Sequence, residues 1–372
     1  MVTVMSLKAT AAVLNEVSGE LVLRTIDVEE PNADEVLIEI SACGICHTDL
    51  VIRDGALPVP MPVVLGHEGA GHVISIGDAV TNVAVGDPVI LSYSSCGNCS
   101  ACSSHQAPYC QEFVPRNFGA ARADGSTAFS SNGKKIHSHF FGQSAFSTHV
   151  VAPTRNIVKA PSDIPLEILA PLGCGIQTGA GSILNELNVH AGSSVLIMGA
   201  GAVGMSAIMA ARIAGAETII ALDLSTTRLE LALELGASHI FVSDQRSVSQ
   251  LLDSINISGV DYILDTTGVP ALVNDAVSSL NIRGTIGLSA AYPHEQMMEI
   301  DFSTAMLNGQ RVQGIVEGSA VPQDFLPKLI SYYRQGVFPF DRLIEHFPFA
   351  DINNAIEACE SGDAIKPVLL MR

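Results

Sequence analysis

Charge is scarce in this chain, and positive charge is scarcest. Asp, Glu, Lys and Arg make up 15% of its 372 residues, below the usual quarter. The 19 Lys and Arg stand against 38 Asp and Glu, a net charge of −19, and no stretch concentrates the basic ones. Nothing here is built to neutralise a phosphate backbone, so no nucleic-acid partner is expected. Gly and Pro, 32 and 18 residues, are too few for a collagenous or low-complexity chain, and 48% apolar residues are ample for a core. The segment Met1 to Lys8 has neither the basic stretch nor the apolar run of a secretory signal. The expected location is therefore cytoplasmic, with the eight Cys reduced and available for metal or chemistry. The run from Leu187 to Ala211 lacks Asp, Glu, Lys and Arg and is long enough to span a bilayer. It is cut by Gly192, Gly199, Gly201 and Gly204, and a buried strand, tight turn and buried helix would look the same. No membrane partner is expected.

At roughly 100–200 residues per domain, the length suggests two domains. Residues 7–90 alternate in short runs such as Val36 to Ile40, Val73 to Ile76 and Pro88 to Leu91, punctuated by Gly55, Gly77 and Gly86: a β texture. Residues 92–142 are irregular and rich in Ser, Gly and Asn. From about residue 176, apolar strands (Val195 to Met198, Glu217 to Asp223, Val260 to Asp265, Thr285 to Leu288) alternate with helical runs, one of them Arg228 to Leu235, ended by Gly236. That alternation predicts parallel βαβ units. The final fifty residues return to mixed texture and are expected to pack back on the first domain.

Gly199-Ala200-Gly201-Ala202-Val203-Gly204 follows an apolar strand and opens an apolar helix, and Asp223 ends the next strand. This is the context a dinucleotide fingerprint requires: glycines for the turn and for close approach to pyrophosphate, a helix N-terminus for the phosphates, and a carboxylate for the ribose hydroxyls. Asp223 would repel a 2′-phosphate, which favours NAD over NADP.

Cys96, Cys99, Cys102 and Cys110 form C-x2-C-x2-C-x7-C. Four thiolates close a tetrahedral Zn²⁺ site with no open position, which makes such a site structural. An iron–sulfur cluster, redox thiols and a zinc-ribbon nucleic-acid binder are the alternatives. Cys46 in GICHTD, His67 in GHEGAG and Cys174 in LGCG together offer the open three-ligand set of a catalytic zinc, although spacing alone does not group them.

In that order, GICHTD, GHEGAG, the four-Cys loop, LGCGIQTGAG and GAGAVG resemble the zinc-dependent medium-chain alcohol dehydrogenases along essentially the whole chain. Leu172 to Gly179, Phe140 to Ser144 and Asn117 to Gly119 most resemble the aryl (benzyl) alcohol dehydrogenases and their allylic-terpenol relatives. The resemblance implies a GroES-like β-rich catalytic domain (residues 1–175 and 322–372) and a doubly wound Rossmann coenzyme domain (176–321), with the active site in the cleft between them. It implies two zinc ions: a catalytic one on Cys46, His67 and Cys174, and a structural one on Cys96, Cys99, Cys102 and Cys110. Glu68 would lie near the metal, Asp49 would orient His67, Thr48 would hold the substrate hydroxyl, and His47 would lie by the pyrophosphate. Thr178 and Val203 would back the nicotinamide, while Arg228 and Lys366 match positions that touch the adenosine ribose and the pyrophosphate. Val51 stands where the best-known members carry the last relay histidine, so His47 is the expected proton exit. Cys43 reads as a strand residue, Cys359 as a buried inert thiol, and His105, His137, His139 and His149 as surface or loop residues.

The implied reaction is reversible oxidation of a primary aromatic or allylic alcohol to its aldehyde by NAD. Phe140 and Phe141 are expected to reach the substrate. A glutathione-dependent formaldehyde dehydrogenase, with Arg116 on a carboxylate, is the alternative within the family. Bacterial relatives are commonly tetramers, so a homo-oligomer, dimer or tetramer, is expected.

Overall fold

Strand Glu35–Gly44 is buried along most of its length, with only Glu39 and Ser41 partly open, as suits the centre of a sheet. In the computed structural model, which describes residues 6–292 and 295–371, it pairs antiparallel with Glu68–Ile76, His149–Pro153 and Lys366–Leu370. The sheet continues to Pro88–Leu91 and Ile157–Lys159 on one side and to Ile344–Pro348 on the other. A second sheet, ordered Val63–Val64, Leu7–Leu14, Leu21–Val28, Phe129–Ser131 and Lys134–Ile136, shares its core, where Ile26, Ile38, Phe140 and Phe146 are fully buried. Fully burying each such side chain is worth about 1.5–3 kcal/mol. The register Leu369↔Cys43, with the Ile45 N–H on the Pro367 carbonyl at 2.9 Å, brings the end of the chain beside the turn that carries Cys46.

Among the described residues the later part of the chain forms a six-stranded parallel sheet. Its order is His239–Val242, Thr218–Asp223, Ser194–Met198, Val260–Asp265, Leu280–Leu288, Arg311–Gly314. Chain order reverses at Ser194–Met198, the switch point where doubly wound sheets bind ligands. The charge-free run at 187–211 is this strand, a turn and the helix Ala202–Ala214. No helix among the described residues is long and apolar enough to cross a membrane.

Contacts divide the chain into a first unit of Met1–Cys174, Val321–Leu326 and Asp341–Arg372, and a second of Gly175–Ala320 and Pro327–Phe340. The sequence assigns everything after residue 321 to the first domain. The stretch Pro327–Phe340 instead clusters with the second unit.

Candidate active site

In the first unit, Cys46 precedes the short helix His47–Arg53. Asp49 on its first turn accepts the Cys46 N–H at 3.1 Å and so fixes the turn. Its other oxygen, Oδ1, accepts the Gly66 N–H at 3.0 Å and lies 3.0 Å from His67 Nδ1. Gly66 has φ +85°, and a Cβ there would run into the Phe146 backbone, so only glycine turns the chain this tightly ahead of His67. Phe141 stacks on the imidazole at 4.4 Å between centroids, and Phe140 meets it edge-on at 5.5 Å.

Ring, carboxylate and turn together aim His67 Nε2 at the sulfurs of Cys46 and Cys174, which lie 4.0 Å apart; the three ligand atoms are within 4.8 Å of one another. Nε2 is buried without a hydrogen-bond partner. A tetrahedral zinc with bonds of about 2.3 Å spaces its sulfurs by about 3.8 Å, so this donor set fits the ion. Electrostatics agree. The Cys46 thiol is held well below its ordinary value, first by the Cys174 sulfur and against burial, with His67 and Lys366 adding to the effect. Burial alone would lower His67, yet Asp49 and Cys46 raise it well above its ordinary value. The cluster attracts positive charge.

Thr48 Oγ1 lies 3.8 Å from Cys46 Sγ, and His47 is exposed at the start of the helix. Glu68 is fully buried, and burial pushes it up to about 7, with the Lys366 ammonium opposing the rise. Lys366, matched in sequence to a pyrophosphate contact, is itself 2% exposed and donates to both Glu68 oxygens at 2.9 Å and to the Ile45 carbonyl at 3.0 Å. These three bonds engage the whole ammonium inside the first unit. Cys43 is a buried strand residue, and His72 is exposed.

The sulfurs of Cys96, Cys99, Cys102 and Cys110 also gather within 4.8 Å, with Cys96–Cys102 at 3.8 Å and Cys99–Cys110 at 3.9 Å, the edges of a tetrahedral zinc site. Backbone N–H groups turn toward them: Cys96 and Glu112 donate to the Cys110 sulfur at 3.2 and 3.4 Å, and Cys99 donates to the Cys96 sulfur at 3.3 Å. The N–H groups of Cys102 and Gln111 bring the Cys99 thiol down to about 6. The Arg155 guanidinium lies against the Cα of Gly97 inside this loop.

In the second unit, Gly199 has φ +94°, a Cβ at Gly204 would strike the Gly199 carbonyl, and a Cβ at Gly201 would meet nothing within 4 Å. The turn is thus closed by two glycines and left open by the third, at the N-terminus of Ala202–Ala214. That arrangement fits a pyrophosphate. Asp223 accepts the Ala200 N–H at 2.6 Å and the Ser225 N–H at 2.8 Å, so it shapes the turn. Ser225 caps the helix Thr226–Leu235, which carries Arg228. Gly179 allows helix Gly175–Gly181 to touch the Val203 carbonyl, which brings the helices of Thr178 and Val203 together.

Three features escaped the sequence reading. His139, taken for a surface or loop residue, is 2% exposed, with Nε2 3.4 Å from Glu35 Oε1 but off the line of a hydrogen bond. Arg122 forks onto the same carboxylate at 2.7 and 2.9 Å. Phe140 is wholly buried and supports His67.

Residues 32–162 match the alcohol dehydrogenase GroES-like domain, and residues 202–332 match the zinc-binding dehydrogenase domain. The geraniol dehydrogenase of Castellaniella defragrans is 43% identical over 98% of both chains. Among solved structures, an alcohol dehydrogenase zinc-binding domain protein from Burkholderia ambifaria superposes with a TM-score of 0.97 at 46% identity, covering 99% of this chain and 100% of the other. Benzyl alcohol dehydrogenase from Acinetobacter calcoaceticus gives 0.95 at 41%, covering 98% and 100%. The chain belongs to the zinc-dependent medium-chain alcohol dehydrogenases, with their GroES-like and Rossmann-type domains.

Proposed function

We propose that this enzyme oxidises primary aromatic or allylic alcohols reversibly to aldehydes with NAD, and holds one catalytic and one structural zinc. The observation that carries the chemistry is the convergence of Cys46, His67 and Cys174 within 4.8 Å around the unpartnered His67 Nε2. When bound there, zinc supplies the Lewis acid that acidifies an alcohol hydroxyl, and NAD is the hydride acceptor. Thr48 Oγ1 orients the hydroxyl and starts the proton path, accepting that proton as its own passes on through the cofactor's ribose hydroxyl to His47. His47, exposed, passes the proton to water, since Val51 has no group to do so. Thr178 and Val203 back the nicotinamide, Gly199, Gly201 and Gly204 admit the pyrophosphate, and Asp223 and Arg228 meet the adenosine ribose.

The substrate class is supported by relatives named for geraniol and benzyl alcohol. An apolar pocket gains about 0.8 kcal/mol per CH₂-sized unit buried, so a ring in place of a methyl is worth orders of magnitude in specificity. A glutathione-dependent reading needs Arg116 for a carboxylate, but its guanidinium already pairs with Glu112 at 2.7 Å. Assembly with further copies, as dimer or tetramer, is supported by Phe302, Met306 and Leu307, which are 86%, 73% and 77% exposed beside the edge strand Arg311–Gly314. A cytoplasmic setting suits the thiol ligands.

The test is kcat/KM with NAD for benzyl alcohol, cinnamyl alcohol, geraniol, ethanol and 2-propanol under one condition. The first three are expected to lead by orders of magnitude. Parity with ethanol or 2-propanol would refute the substrate class and leave the alcohol dehydrogenase standing.

A further inference from the structure

Strands Glu68–Ile76 and Pro88–Leu91 pair from His72↔Pro88 to Ala70↔Ile90 and then part toward the site. Where the next rungs would fall, a side chain takes over. Gln143 is fully buried; its Oε1 accepts the Gly69 N–H at 3.1 Å, and its Nε2 donates to the carbonyls of His67 at 2.8 Å and Ser92 at 3.3 Å. A carboxamide carries the same donor and acceptor as a peptide, so it completes the ladder while letting the strands separate. Ser92, also fully buried, continues the line: its Oγ donates at 2.6 Å to the carbonyl of Gly173, the residue before Cys174.

The segment that presents Gln143 is strained. His139, Phe141, Gly142 and Ser144 have φ of +65°, +51°, +66° and +56°. It is pinned by Ser144 Oγ on the Val64 carbonyl at 2.6 Å and by Asn156 Nδ2 on the Phe141 carbonyl at 3.0 Å. Strain of this kind persists only where the surroundings over-determine the conformation.

We infer that Gln143 and Ser92 form a buried bridge that sets the spacing of the metal ligands His67 and Cys174, which are far apart in sequence, and that both are positioning residues for the catalytic zinc. Asp49 fixes the direction of the His67 ring; the bridge fixes where the His67 and Cys174 backbones stand relative to each other. A buried polar chain that served packing alone could give way to apolar side chains of the same shape without affecting the metal. This one runs from one ligand to the other.

The inference rests on Cys46, His67 and Cys174 being the catalytic zinc ligands, and the experiment separates the two. Ser92→Ala removes one hydroxyl and leaves the ladder groups paired; Gln143→Leu removes the amide at nearly constant size. Cobalt(II) is placed in the three-ligand site of wild type and variants, its d–d absorption is recorded, and release of each metal to a chelator is timed. Each variant is expected to shift the d–d band and to weaken metal retention at the three-ligand site by about 10- to 100-fold, with the four-Cys site unchanged. The double variant is expected to fall short of the product of the singles, as for members of one network. A wild-type spectrum and release rate in Ser92→Ala, or fully multiplicative effects, would overturn the bridge. Metal content of Cys46→Ser is the separate arm: retention of both metals refutes the ligand assignment itself, whereas loss of one beside an unaltered Ser92→Ala refutes only the bridge.

Discussion

The ammonium of Lys366 and the carboxylate of Glu68 face each other in the interior, with Nζ 2.9 Å from both oxygens and the two side chains 3% and 0% exposed. Each partner makes the other's charge tolerable. Lys366→Met deprives a buried carboxylate of its ammonium and is expected to cost about 3–5 kcal/mol, whereas Lys366→Met with Glu68→Gln is expected to cost much less. Denaturant unfolding of the zinc-loaded enzymes measures both. Equal loss in single and double variants would contradict the pairing.

Metal stoichiometry follows from the two sulfur clusters. Wild type is expected to hold two zinc ions per chain, and Cys46→Ser and Cys99→Ser one each. The two losses differ in kind. Cys46→Ser is expected to keep the fold and abolish turnover. Cys99→Ser is expected to lower stability, because the irregular segment around it relies on the ion. Elemental analysis paired with thermal melting separates them.

Asp223 is expected to enforce NAD, so Asp223→Gly should narrow the preference over NADP. The same change strands the N–H groups of Ala200 and Ser225. A loss of about 1–3 kcal/mol in stability for each N–H left dry is therefore expected, less where water reaches it. Steady-state kinetics with both cofactors and a melting curve test the two halves. Unchanged cofactor preference would remove Asp223 from the ribose site.

Acid stability has a local source in Glu35. Burial would raise this carboxyl, but His139, Arg122 and the Asn32 N–H hold it at about 2 against an ordinary 4.5. The folded form thus binds the proton less readily than the unfolded chain. Its contribution is complete above about pH 4.5 and fades as pH falls toward 2. Glu35→Gln is expected to flatten stability against pH in that window and to lower stability at neutral pH. An acid limb identical to wild type would contradict this.

Local chemistry made much of the protein readable from its sequence. The turn at Gly199, Gly201 and Gly204 needs no partner elsewhere to be legible, and neither does the helix Thr226–Leu235, capped by Ser225 and ended by Gly236. Cys96 to Cys110 announce themselves because four ligands fall within one short loop. Contacts between distant segments leave no such mark. Nothing near Lys366 in the sequence points to Glu68, so the resemblance alone sent it to the cofactor. Gln143 drew notice only as part of a matching motif, since its role depends on two strands parting beside it. Phe140 and Phe141 read as rings on the substrate side, because their packing against His67 depends on segments far away in the chain. Pro327–Phe340 lies within the mixed texture of the last fifty residues, which bears no local mark that this stretch clusters with the coenzyme unit.

The four-Cys loop carries a hazard. Cys96, Cys99 and Cys102 are only half-buried, their sulfurs stand in near-contact pairs, and Cys99 ionises at about 6. Thiolates are the species that oxidise. An ion held by them would shield them; were it lost, neighbouring sulfurs would be poised to join as disulfides in air, and the ion could not return. Ageing of this enzyme in air would then be a ratchet, in which each escape of metal is made permanent, and fresh zinc would restore it only together with a reductant.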